Sequence, residues 1–175
     1  MAYPTHQEIL TNRARELARP FVSQRSTLDS SDGIHLLVFH LGPESYAVDV
    51  ANVLEIVPTE RMTPFPSLPS YIVGVLPVRG MIWSVVDLRA FFSIPRKGIA
   101  DHPRAILVET EKLRFGIITD STLDIVSCKS LSPPPEIMEK IPRNVGRGII
   151  NELTIVLDVE VLAKDPRMIV RDDLE

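Results

Sequence analysis

From residue 34 onward the chain alternates short apolar runs with turn residues. The runs are "IHLLVFHL", "YAVDV", "VGVLPV", "MIWSVV", "RAILVET", "RFGIIT", "TLDIVSC", "GIIN" and "LTIVLDV". Runs of this length bounded by Gly, Pro, Ser and Asp read as strands. The first two, joined by "GPES", predict a hairpin. Strands this short and numerous predict an all-β sandwich or barrel rather than βαβ units. Upstream, Thr5 and Glu8 form a T-x-x-E capping box ahead of Ile9, Leu10, Ala14, Leu17 and Ala18 at helical spacing, and Pro20 marks the stop. Residues 1–33 are thus expected to be an N-terminal helix and a polar linker, "SQRSTLDSSDG", with Arg13, Arg15 and Arg19 on a solvated face.

The β region repeats itself. "LLVFHLGPESYAVDVANVLEIV" (36–57) lies over "ILVETEKLRFGIITDSTLDIV" (106–126), placing Asp49 on Asp120. "GVLPVRGMIWSVVDLRAFF" (74–92) lies over "GRGIINELTIVLDVEVLA" (146–163), placing Asp87 on Asp158. Each of the latter pair precedes a short helical pattern, as an N-cap does. The offset of about 70 residues predicts two β subdomains within 34–175, roughly 34–100 and 101–165, followed by a C-terminal tail. Each alone would bury a marginal core. The units are expected to pack on each other and enclose an apolar groove where they meet.

Composition narrows the chemistry. A net charge of −4 with no Lys/Arg block argues against nucleic acid as a partner. A single cysteine, Cys128, excludes an internal disulfide, and its apolar setting predicts a buried structural thiol. No apolar stretch approaches the roughly 18–20 residues of a membrane span, and "MAYPTHQEIL" lacks the pattern of a secretory signal, so a cytoplasmic chain without membrane insertion is expected. The histidines His6, His35, His40 and His102 show no metal-ligand spacing. There is no G-x-S-x-G and no phosphate loop, and Gly146 and Gly148 read as turn glycines. The reading is a binder: no catalytic residues, no metal and no cofactor.

Arg79 stands between two hydrophobic runs, and a guanidinium is almost never fully buried without a partner. The other repeat has Asn151 and Glu152 there, so the charge is a specialisation of one copy. Glu55, isolated between Leu54 and Ile56, is the best candidate partner. Either the stem covers apolar surface while its head reaches water, or the pair shapes a recognition surface.

A hydrophobic F-x-L-G hairpin, V-x-E-I at Val53, Glu55 and Ile56, G-V-x-x-x-R-G at Gly74, Arg79 and Gly80, and V-D-L-R from Val86 occur in that order. Over residues 34–165 this resembles the CheW family of chemotaxis coupling proteins. The resemblance implies two intertwined five-stranded SH3-like barrels and a scaffold without catalysis. It implies as partners the regulatory domain of a CheA-type histidine kinase and the cytoplasmic tip of a methyl-accepting chemoreceptor. It places Val53, Glu55, Ile56, Gly74, Arg79 and Gly80 at or near the partner-facing surfaces. Pro77 and Ser84 depart from the pattern, which leaves a non-chemotactic receptor–kinase pathway, for example pilus motility or developmental signalling, as the alternative. No kinase region before residue 34 and no receiver domain after residue 165 is expected.

Overall fold

In a computed structural model, the structure describes residues 33–66, 68–94, 103–120, 124–133, 141–142, 144–151 and 153–169. The expected N-terminal helix and linker, His6, His102, Glu152 and the tail from residue 170 lie outside them. Ten strands are described: β1 (Ile34–Leu41), β2 (Glu44–Asp49), β3 (Val53–Pro58), β4 (Ile72–Val78), β5 (Met81–Val86), β6 (Arg104–Glu109), β7 (Arg114–Thr119), β8 (Asp124–Cys128), β9 (Gly146–Ile150) and β10 (Thr154–Leu157). Two one-turn helices, α1 (Leu88–Phe91) and α2 (Val159–Leu162), follow β5 and β10. Asp87 and Asp158 cap them as expected: Asp87 accepts from the Arg89 N–H and Asp158 from the Val161 N–H. No helix among the described residues is long and apolar enough to cross a membrane.

The strands form two five-stranded sheets, sheet A in the order β8-β1-β2-β10-β9 and sheet B in the order β3-β6-β7-β5-β4. The repeat places β1 to β5 on β6 to β10, and under that mapping the two orders are identical. Each sheet takes its central hairpin from one repeat and its other three strands from the other repeat. Along the chain, sheet B is the continuous stretch from Val53 to Thr119, and sheet A is assembled from what precedes and follows it. The sheets divide the chain at those points. The physical reason is pairing: β2 meets β10, and β5 meets β7, in parallel register, Tyr46 opposite Ile155 and Val85 opposite Gly116. Such pairs need a distant chain segment.

Burial follows the same plan. Leu36, Ala47, Ile150 and Val156 fill sheet A's own interior, and Leu76, Trp83, Val85, Ala105, Leu107 and Ile118 fill that of sheet B. A third and larger cluster joins the sheets, with Phe39, Tyr46 and Val48 packed among Val86, Ile106, Phe115, Ile117, Phe91 and Leu162. The junction is thus largely filled by core. An opening of about 570 Å³ lies along sheet B and the C-terminal turn, bounded by Tyr71, Ile72, Ser84, Val86, Phe115 and Met168. Gly146 and Gly148 stand in β9, Gly146 beside a bulge, rather than in a turn. Cys128 is half-buried on edge strand β8 against sheet A's interior, more open than expected.

Candidate partner-docking site

Arg79 is not inside a strand. Val78 pairs with Met81, so Arg79 and Gly80 are the two-residue loop of the β4–β5 hairpin. Their φ values are +50° and +79°. A loop with both central residues at positive φ matches the right-handed twist of the strands and normally takes Asn-Gly or Gly-Gly. Nothing lies within 4 Å of where a Gly80 Cβ would stand, so glycine is needed there for its backbone and not for space.

Glu55 comes from the opposite side of the sheet. The register between β3 and β6 shifts between Val53 and Glu55, leaving Leu54 as the extra residue of a bulge. Bulges re-aim side chains, and this one presents Glu55 to the hairpin tip. Arg79 Nε lies 3.0 Å from Glu55 Oε2, and Arg79 Nη2 donates to Oε1 at 3.2 Å. Because β3 and β4 are the two edges of sheet B, this two-pronged pair links the first strand of the sheet to the last. The expected partnership of Arg79 and Glu55 is present.

The pair is open to solvent, the Arg79 side chain 60% exposed and that of Glu55 34%. An exposed pair of this kind contributes less than about 1 kcal/mol. Holding a side-chain-bearing residue in the left-handed region costs roughly 1–2 kcal/mol. Strain of this kind clusters at functional sites.

The other predicted residues divide. Val53 and Ile56 flank Glu55 on β3 but are half-buried and pack on the central core. Gly74 is at the far end of β4, roughly 17 Å of strand from the tip. A Cβ on it would stand 2.6 Å from the Thr63 backbone oxygen. Its place in the structure is close backbone approach, not the tip.

Two features escaped the sequence reading. Exposed apolar side chains neighbour the pair along the chain: Leu54 at the bulge, Met81 next to the turn and Ile82, 77% exposed. Arg114 Nη1 approaches Met81 Sδ at 3.7 Å, and the same guanidinium is paired with Glu109. Alternation in "MIWSVV" carried the signal, since Trp83 and Val85 point into the sheet interior and leave Ile82 on the opposite face.

The second feature is Arg89, buried at 8% exposure in α1. Its Nε donates to Asp87 Oδ1 at 3.0 Å and its Nη1 to Asp120 Oδ1 and Oδ2 at 2.7 and 2.6 Å. Burial by itself lowers the Arg89 pKa, but the bonds and charges of Asp87 and Asp120 together outweigh it and hold the guanidinium above its ordinary value. Asp120 Oδ2 also accepts the Gly42 N–H at 2.6 Å, from the β1–β2 turn of sheet A. This network braces one sheet against the other. An arginine within "DLRAFF", together with an Asp120 marked by the repeat, was the available clue.

Comparison with known proteins gives a consistent result. A family model described as "CheW-like domain" matches residues 35–167. The chain is 28% identical to the chemotaxis protein CheW of Klebsiella aerogenes over 147 residues, 81% of this chain and 89% of that one. It is 31% identical to the protein FrzA of Myxococcus xanthus over 99 residues, 55% of this chain and 62% of that one. The crystal structure of the scaffolding protein TtCheW from Thermoanaerobacter tengcongensis superposes with a TM-score of 0.67 at 27% identity, covering 77% of this chain and 90% of that one.

Proposed function

The chain belongs to the CheW-like domain family, and from that premise we propose that it is a non-catalytic coupling scaffold of a chemotaxis-type signalling array. In this reading it links the cytoplasmic tip of a methyl-accepting chemoreceptor to the regulatory domain of a CheA-type histidine kinase. It works in the cytoplasm, attached to membrane receptor arrays through its partners. The proposed partner-facing residues are Val53, Glu55, Ile56, Gly74, Arg79 and Gly80.

The observation that carries the reading is the Arg79–Glu55 pair at an exposed hairpin tip, set on a backbone in the left-handed region. The exposed Met81 and Ile82 beside it supply apolar contact of the kind that dominates protein interfaces. The test is titration of the kinase regulatory domain and of a receptor-tip fragment from the same organism, with wild type and with Arg79→Glu. Expected is binding weakened at least about tenfold, or about 1.4 kcal/mol, in the variant. Equal affinities would refute the role of this tip.

A second reading is an adaptor of a non-chemotactic receptor–kinase pathway, which the departures at Pro77 and Ser84 favour. Binding to a kinase from such a pathway and not to the chemotaxis kinase would select it. Residues 1–33 are proposed to be a helix and a linker. Deletion of residues 1–30 should leave cooperative melting intact, and loss of cooperativity would place the helix in the core.

A further inference from the structure

Strand β4 ends sheet B, and an edge strand normally offers a row of backbone donors and acceptors to any other chain. Its register with β5 is regular from Gly74 opposite Val85 to Val78 opposite Met81. Val75 directs both of its backbone groups away from β5: its N–H donates to Thr63 O at 2.8 Å, and its O accepts from Thr63 N–H at 2.9 Å. By the alternation of an antiparallel ladder, residue 77 also faces outward. That residue is Pro77, which has no N–H to give. At one outward position the edge is occupied, and at the next the donor is absent.

Thr63 belongs to an arm, residues 59–66, that leaves β3 and returns along β4. The arm is pinned by Met62 N–H to Thr59 O at 2.9 Å and by Thr59 Oγ1 donating to Pro103 O at 2.9 Å. The Met62 side chain packs on the interior of sheet B. The arm reaches bonding distance only because residue 74 is glycine. An added Cβ would also stand 3.0 Å from Met62 Cγ and 3.1 Å from the Thr63 carbonyl carbon.

We propose that Gly74, Thr63 and Pro77 together close the outer edge of β4 against strand addition by a second copy of this chain. The hairpin tip beside it then receives partners through side chains alone. In this scheme Gly74 acts on the edge through the 59–66 arm, by letting Thr63 approach the strand. With the arm displaced and a donor restored at residue 77, two β4 strands can pair antiparallel across a twofold axis, each supplying what the other lacks.

The test uses the full chain with Gly74→Val and Pro77→Thr combined, followed by sedimentation velocity over a wide concentration range and amide exchange at Val75. Expected are a concentration-dependent dimer and exchange at Val75 at least about tenfold faster than in wild type at low concentration. Adding Val75→Lys, a charge on the edge, should restore the monomer. A double variant that stays monomeric at every concentration overturns the proposal, as does unchanged exchange at Val75. Should that variant fail to fold, Thr63→Pro with Pro77→Thr removes one arm bond without a clash in β4. Sedimentation velocity of this second variant then decides.

Discussion

Arg89 and Asp120, 31 residues apart in sequence, meet where the two sheets join, with Nη1 of one donating to both carboxylate oxygens of the other. Asp120 in turn holds the Gly42 N–H of sheet A, while Arg89 grips Asp87 at the start of α1. One cation thus serves two carboxylates in a place that solvent barely reaches. Removing it takes from both carboxylates the charge that faces them, which is costlier than the pairing is favourable. Arg89→Met should lower stability by about 3–5 kcal/mol. Arg89→Lys keeps the charge but loses the fork, so it should recover only part of that loss. Urea unfolding of the three proteins checks both statements.

The β4–β5 turn separates strain from contact. Gly80→Ala meets no neighbour, so its whole effect is the backbone at φ +79°. A loss of about 1–2 kcal/mol is expected. Arg79→Asn should behave oppositely, because asparagine tolerates the left-handed region and relieves the strain, while the pair with Glu55 that it deletes is exposed. Its unfolding midpoint should match or exceed that of wild type even as partner affinity falls. A clear destabilisation by Arg79→Asn would show the ion pair to be structural.

Acid should loosen the turn at Pro166–Met168 before the sheets. Arg167 hydrogen bonds hold the Asp165 carboxyl below its ordinary range, against the opposing effect of burial. Arg167 also lies 4.0 Å over the Phe91 ring and donates to Phe91 O, and Tyr71 OH donates to Arg167 O at 2.6 Å. A depressed folded pKa contributes stability above the unfolded value of about 3.9 and loses it as pH falls through the folded one. Amide exchange at Met168 and Ile169 should therefore quicken below about pH 4, and Asp165→Asn should abolish that dependence. Exchange that is flat with pH in the wild type would refute it.

Most strands were legible because each is a short apolar run bounded by turn residues, and β1, β5 and β7 coincide with their runs. Strand β3 is absent from those runs. Its bulge at Leu54 and its half-exposed positions break the alternation that marks a strand. The repeat was legible as well, but the exchange of strands between sheets was not. A run pairs through its backbone, and the same pattern of apolar residues suits a neighbour in its own repeat or in the other. The Arg79–Glu55 pair could be read since each charge stands alone among apolar residues. Arg89 could not, because its partners come from a cap two residues away and from a strand end in the other repeat.

Exchanging the two charges tests whether Arg79 closes the sheet or touches a partner. Glu55→Arg and Arg79→Glu each place like charges together at the joined edges, and each should weaken binding to the kinase regulatory domain. The double variant restores an opposite-charge pair between β3 and the hairpin, so its stability should return to within about 0.5 kcal/mol of wild type. If closing the sheet were the whole role, binding would return with it. The guanidinium stands at the hairpin tip, its side chain 60% exposed, within a few residues of the exposed Met81 and Ile82. The expected result is that stability recovers while affinity does not, as titration of the three variants against one kinase fragment would show. Recovery of both would assign the pair to sheet closure and move the contact to the apolar residues around it.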